Sequence, residues 1–545
     1  MLLLAGPAAS AQVPTPPRQP ADLVVYNATV YTVDSAFSKA RAFAVRGGRF
    51  VAVGSSAAIR QRFQGKREVD AQGQFIYPGF YDAHCHFYGY ALTLAQADLV
   101  GATSWAATVA RLTAHRKSHA GAAWLTGRGW DQNDWPGKRF PSKDTLDRLF
   151  PTTPVFIERV DGHAALVNQK ALDLAGITAQ TPISGGVIAR DAQGRLTGLL
   201  VDNAVGLVES KLPAPTPLET EKALLQAQRN CLAVGLTSLA DAGLDRPVIE
   251  QLAALQAQNK LRLRLYAMIT PTPANLDYYL KKGPTFSDKL TVCSFKVYAD
   301  GALGSRGASL LQPYSDKPGE TGFLLRTVAE YRALAKRLAA SKFQMNTHAI
   351  GDSANRLILN IYGEALAGQQ DRRWRIEHAQ VVSPADVPKF GQFGIVPSVQ
   401  PTHATSDMYW AGERLGARRL PTAYAFRALQ KQYGQVALGT DFPVENINPF
   451  YTFHAAVSRQ DARAYPPGGF QPENALSRAD ALRGMTTWAA HAAFEDQRKG
   501  QIRPGMLADF IILKTDLLTA SPEKLRNIQV QQTWIGGERV YLITN

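Results

Sequence analysis

The feature that most constrains this chain is where its apolar runs stop. From about Gly235 to Ala490, short apolar stretches alternate with amphipathic or capped ones, and stretch after stretch closes on an ionisable group. FKVYADG carries Lys296 and Asp300, QMNTH ends at His348, RWRIEH at His378, IVPSVQPTH at His403 and VALGTD at Asp441. An earlier run, FYDAHCH, ends at His84 and His86. Strands alternating with helices call for a parallel sheet, an α/β class. An open doubly wound sheet usually carries a Gly-rich phosphate turn after its first strand. None is evident here, so the expected core is a (β/α)₈ TIM-like barrel. In such a barrel the C-terminal strand ends share one rim, where groups distant in sequence converge.

The two ends of the chain read differently. Residues 21–78 and 496–545 alternate apolar and polar with Gly punctuation, including turns expected at Gly47-Gly48 and Gly536-Gly537. They are expected to pair into one composite β-sandwich domain, leaving 79–495 for the barrel. Residues of about 121–203 fit neither pattern and are read as an inserted α/β segment near the barrel mouth. Within the barrel, Thr216-Pro217-Leu218-Glu219 is a capping box with proline at the first helical position, and Ser383-Pro384 is expected to start another helix. Residues 1–20 open with MLLLAGPAASAQ and a proline-rich spacer. This resembles the tail of a secretory signal peptide without its basic region. A cleaved leader would make the protein periplasmic or secreted; an unstructured arm would leave it cytoplasmic.

Hydrophobic residues make up 45% and charged residues 19%, ordinary for a globular protein. No stretch reaches the ~18 apolar residues of a membrane span. The net charge of +15 comes from Lys and Arg spread along the chain, without a basic run or an RNA-binding signature. It reads as a solvated basic surface, so the expected partner is a small-molecule substrate rather than nucleic acid, with homodimerisation open. Cys85, Cys231 and Cys293 are too scattered for a disulfide framework and are expected to be free thiols.

A strand's two-residue period puts His84 and His86 on one face and Cys85 on the other. Two imidazoles on the rim can hold one metal ion, His348 and His378 can serve a second, and Asp441 can complete the set and accept a proton from an activated water. Imidazole and carboxylate donors without thiolate suit Zn²⁺, with Mn²⁺, Fe²⁺, Co²⁺ or Ni²⁺ open. His115, His119, His454 and His491 lie in helical stretches and receive no role. Substrate contacts are sought in His163, Arg306 and His403. Their ordinary alternatives are a loop histidine, a surface ion pair and a loop cap. Trp130 and Trp135 either line an apolar pocket or simply pack.

PGFYDAHCH, the lone histidines of NTHAIGD and RIEHAQ, and the aspartate of GTDFP together resemble the amidohydrolase superfamily. RVDGHAALVNQKAL and FKVYADGALGSRGA are similar to its family 3, the YtcJ-like proteins that include N-substituted formamide deformylases. The resemblance covers nearly all of the chain after the leader. It implies a hydrolase of carbon–nitrogen bonds other than peptide bonds, acting on a small amide, formamide or carbamate. By that resemblance His84, His86 and Asp441 would bind a first ion and His348 and His378 a second, two zinc sites bridged by Lys296 as a carboxylated lysine. Asp441 would be general base and then acid. The alternative for Lys296 is a structural ion pair with Asp300, and for Asp441 a helix N-cap. The chain departs from the branch at Phe442, where a tryptophan is usual. Non-hydrolytic metal chemistry on the same barrel (isomerisation or decarboxylation) and a non-catalytic scaffold are the competing readings.

Overall fold

A computed structural model describes residues 17–369 and 371–544. The leader expected at 1–20 lies largely outside the described residues. At the centre, eight strands run parallel: β1 (Phe80–Cys85), β2 (Leu236–Leu244), β3 (Arg264–Ile269), β4 (Leu290–Tyr298), β5 (Gln344–Ala349), β6 (Arg375–His378), β7 (Val396–Val399) and β8 (Ala437–Leu438). Each pairs with its sequence neighbour. The ring is completed between β1 and the end of β8, where Asp441 N–H donates to His84 O and His86 N–H to Phe442 O, both at 2.8 Å. This is the expected (β/α)₈ barrel. Its strands are buried on both faces: every residue of QMNTHA and of RIEH is buried. Such strands read as continuous rather than alternating.

Several connecting helices start where a side chain satisfies a free N–H group of the first turn. Thr216 and Glu219 form the expected capping box ahead of the helix Pro217–Ala233, and Thr327 with Glu330 forms a second ahead of Val328–Ala339. Ser383-Pro384 departs from expectation. The chain there makes a turn closed by Asp386 and Val387 N–H to Ser383 O, and helix forms only at Lys389–Gln392. Pro388, four residues on, has no N–H to continue a helix begun at Pro384.

Both chain ends build the sandwich. One sheet holds Gln19–Tyr26, Ala42–Arg46, Arg49–Gly54 and Phe63–Asp70; in the other, Phe75–Pro78 pairs antiparallel with the C-terminal Phe510–Leu513. Between them pack Phe43, Phe50, Ile76, Phe510 and Trp534. The turn at Gly47-Gly48 has φ of 58° and 73°, left-handed at both positions as a two-residue hairpin of this twist requires.

A further six-stranded sheet lies between β1 and β2 in sequence, from Ala97–Asp98 to Leu196–Asp202. Trp130, Trp135 and Leu166 fill its core. The indole N–H groups of the two tryptophans donate to Ile157 O and Ala102 O, so both are packing residues. The three cysteines are buried free thiols. Among the described residues no helix is long and apolar enough to cross a membrane.

Candidate metal centre

The barrel register sets the site. Lys296 lies opposite Asn346, Tyr298 opposite His348, His348 opposite Glu377 and Ala349 opposite His378. Together with the ends of β1 and β8, this brings His84, His86, Lys296, His348, His378, His403 and Asp441 to one rim. Asp441 is its hub. Its Oδ1 lies 3.1 Å from His86 Nε2 and 3.6 Å from His84 Nε2, and its Oδ2 lies 3.6 Å from His403 Nε2. Among the described residues two groups have donor atoms close enough to hold an ion: His84 with His86 and Asp441, and His378 with His403 and Asp441. His403, sought as a substrate contact, thus stands beside a candidate ligand set. His348 lies outside both groups, its Nε2 3.6 Å from Asp300 Oδ1.

The donor atoms fit a cation. Asp441 Oδ1 and Nε2 of both His348 and His403 are buried with no hydrogen-bond partner, an arrangement that costs free energy unless something else is bound. Imidazole and carboxylate are ligands for a divalent transition metal. The histidines of β1 are also oriented for it. His84 Nδ1 is 2.7 Å from Glu377 Oε2 and His86 Nδ1 is 3.2 Å from Ala242 O, so each presents Nε2 inward. Backbone strain gathers at the same place: His378 and Asp441 have φ of 73° and 64°, left-handed values that non-glycine residues hold only when their surroundings impose them.

Charge is concentrated and dehydrated here. Burial, with Lys296 nearby, pushes the His84 imidazole down to about 4, and burial drives His348 and His378 well below their ordinary range. Burial alone would raise the Asp441 carboxyl, but contact with His86 and the fields of His378 and His84 hold it well below the usual carboxylate range. Burial also brings the Lys296 amine down to about 8.

Several expectations are corrected. Lys296 is not paired with Asp300, whose carboxylate accepts the N–H groups of Ser309, Ile350 and Gly351 instead. Lys296 Nζ lies 3.0 Å from His84 Nε2. Asp441 is not a helix cap, because the next helix, Pro449–Ser458, is capped by Asn448. Arg306 gives its guanidinium to Asp316 (Nη2–Oδ2 2.7 Å), and among the described residues no hydrogen bond or ion pair joins it to the histidine cluster. Phe442 packs edge-on against Tyr90. His163, from the inserted sheet, does reach the rim: its ring centroid is 4.9 Å from that of His348. Sequence reasoning missed Glu377, Gln400 and Asp202, which bind His84, His378 and His163. For Glu377 the signal was its position inside a strand buried on both faces, where a charge needs a partner.

Comparison with known proteins agrees with this architecture. The chain is 35% identical to Protein LONG AFTER FAR-RED 3 of Arabidopsis thaliana, over 96% of this chain and 92% of that one. It is 29% identical to the putative amidohydrolase YtcJ of Bacillus subtilis strain 168 (94% and 98%) and 28% identical to N-substituted formamide deformylase of Arthrobacter pascens (95% and 97%). Its fold matches an uncharacterised metal-dependent hydrolase from Pyrococcus horikoshii with a TM-score of 0.75 and 27% identity, over 92% of this chain and 99% of that one. The family described as "Amidohydrolase family" (Amidohydro_3) matches residues 67–541, and the chain, a metal-dependent hydrolase by fold and donor set, belongs to it.

Proposed function

We propose that this hydrolase cleaves a carbon–nitrogen bond, other than a peptide bond, in a small amide, formamide or carbamate. The observation that carries the reading is Asp441. It is a buried carboxylate shared by two histidine groups, and its Oδ1, 3.1 Å from His86 Nε2, makes no hydrogen bond. Similarity to an N-substituted formamide deformylase supports the choice of bond.

His84, His86 and Asp441 would hold one ion; His378 and His403, or His378 and His348, would hold a second, with Lys296 between them. Zinc suits this donor set first. When bound, the metal supplies Lewis acidity to the substrate carbonyl and to water. Asp441, held ionised, takes the proton of the attacking water as the C–O bond forms. Glu377 and Ala242 O keep His84 and His86 facing inward. Where His348 rather than His403 completes the second ligand set, His403 Nε2 can meet the carbonyl oxygen, while Gln380 Nε2, 3.0 Å from its Nδ1, fixes the ring. Lys296 would be carboxylated, a reading supported by its buried amine beside His84. Its neutral amine would bond to the carbon of CO₂ and release a proton, giving a carbamate that can bridge two cations.

The test is metal content per chain of protein expressed with bicarbonate and purified without chelator. A screen for amine and acid released from N-substituted formamides, N-acyl amines and carbamates follows. Stoichiometric metal and amine release support the reading. Absence of metal after reconstitution overturns it, and products of unchanged mass move it to isomerisation.

A further inference from the structure

The two stretches RVDGHAAL and FKVYADGALGSRGA, far apart in the chain, meet at one residue that neither contains: Asp202. Its side chain is fully buried and its backbone is left-handed, with φ of 50°, a conformation that costs free energy outside glycine. Asp202 grips His163 twice. Its N–H donates to His163 O at 2.8 Å, and its Oδ1 lies 2.6 Å from His163 Nδ1. From the other side, Gly301 and Gly307 are shaped around the same carboxylate. A Cβ on either would lie 2.3 Å from Asp202 Oδ2. The loop after β4 therefore needs glycine where it passes this group, and the inserted sheet spends a strained residue to place it.

All of this serves the orientation of one imidazole. With Nδ1 committed to Asp202 and the His163 N–H held by Asp161 Oδ1 at 3.0 Å, Nε2 is the ring atom with no protein partner among the described residues. The ring sits 4.9 Å from His348 and 6.3 Å from Tyr298, centroid to centroid. A histidine whose Nδ1 is fixed by a buried carboxylate and whose Nε2 faces a reaction site is the arrangement that hands a proton to a departing amine in other hydrolases.

We propose that His163 is a second catalytic residue, serving the leaving nitrogen, and that Asp202 is its positioning residue. The inference rests on the carbon–nitrogen reading above. An amine is too basic to leave as an anion, so the nitrogen must gain a proton as its bond breaks. Asp441 takes a proton from water as the C–O bond forms, and His163 Nε2–H gives one to nitrogen as the C–N bond breaks. Both groups are restored by exchange with solvent, so amide and water become acid and amine. The carboxylate need not swing from the attacking oxygen to the leaving nitrogen, because the two tasks sit on different elements, the barrel and the inserted sheet.

The test is kcat/KM for N-formyl amines graded from weakly basic anilines to alkylamines. It uses metal-loaded wild type, His163→Ala and Asp202→Asn, with metal content measured on each. His163→Ala is expected to lose roughly 10²–10⁴-fold on alkylamine substrates, far less on the most weakly basic anilines, and to regain activity with added imidazole. Asp202→Asn is expected to show the same gradient, shallower, with metal retained in both. A loss equal for every leaving group, or a loss of metal, overturns the proposal while leaving the hydrolase reading intact. Where the formamides are not cleaved, the same graded amines are presented as N-acyl amines and carbamates; if the wild type releases amine from none of these, the carbon–nitrogen reading fails and this inference falls with it.

Discussion

Lys296 Nζ stands 3.0 Å from His84 Nε2, and among the described residues no carboxylate lies within ion-pair distance of it. A buried amine that neighbours an imidazole rather than a carboxylate is a poor structural cation. The same placement suits a neutral nucleophile toward CO₂. The consequence for stability has a definite sign. The folded pKa of about 8 lies below the ordinary 10.5. Below pH 8 the fold must either bury the ammonium or forgo a proton that the unfolded chain keeps in water. That cost is fully present there, and it fades as pH rises from about 8 to 10.5 and the unfolded chain loses its proton. Lys296→Met should therefore stabilise the metal-free protein at pH 7 by about 3 kcal/mol, and by less at pH 10. Urea unfolding of chelator-stripped protein at the two pH values checks this; an equal gain at both would contradict it.

Glu377 is expected to act on the metal through His84. In Glu377→Gln the new amide can donate to Nδ1 and favour the tautomer that puts a proton on Nε2, the atom needed for an ion. Metal affinity should fall roughly 10–100-fold, as read by chelator competition. An unchanged affinity would show that the 2.7 Å contact is structural alone.

Asp441→Asn removes the carboxylate common to both histidine groups. Plasma mass spectrometry should find metal content well below that of wild type, and kcat should drop by at least about 10²-fold, the lower range for loss of an acid–base group. Retention of full metal with full activity would displace Asp441 from the centre of the site.

Gly307→Ala should destabilise the protein by about 1–3 kcal/mol, the usual cost of forcing atoms into a filled interior. Its Cβ would lie 2.3 Å from Asp202 Oδ2. Denaturant unfolding measures the cost. Activity should fall with it while metal stays bound, because the disturbed carboxylate orients His163 and touches no candidate ligand.

The barrel and its rim were legible in the sequence because strand ends leave a local mark: an apolar run, then His348, His378 or Asp441. The resemblance to a known family added the identity of the site. What stayed hidden depends on long-range register. Nothing near Glu377 says that it lies beside His84 from across the barrel, and nothing near Asp202 says that it will clasp His163 against two glycines of another loop. The ion pair of Arg306 was open for the same reason. Ten residues past Lys296, it could grip a ligand or a surface carboxylate, and its partner Asp316 lies a further ten residues on. Ser383-Pro384 carried a start signal that the later Pro388 cancelled.

The two main-chain bonds that join β1 to the end of β8 run through His84, His86, Asp441 and Phe442. The last stave of the hoop is thus fastened to the first by three of the residues offered to the cation, His84, His86 and Asp441. Closing the hoop waits until nearly the whole barrel has been synthesised and folded, so a donor set divided across that joint cannot exist in any partly built form of the chain. Capture of the ion would then act as a clasp on a finished ring, and its release would loosen the ring at that joint first. Amide exchange at Asp441 and His86 would report this as slower opening in the loaded protein than in the stripped one.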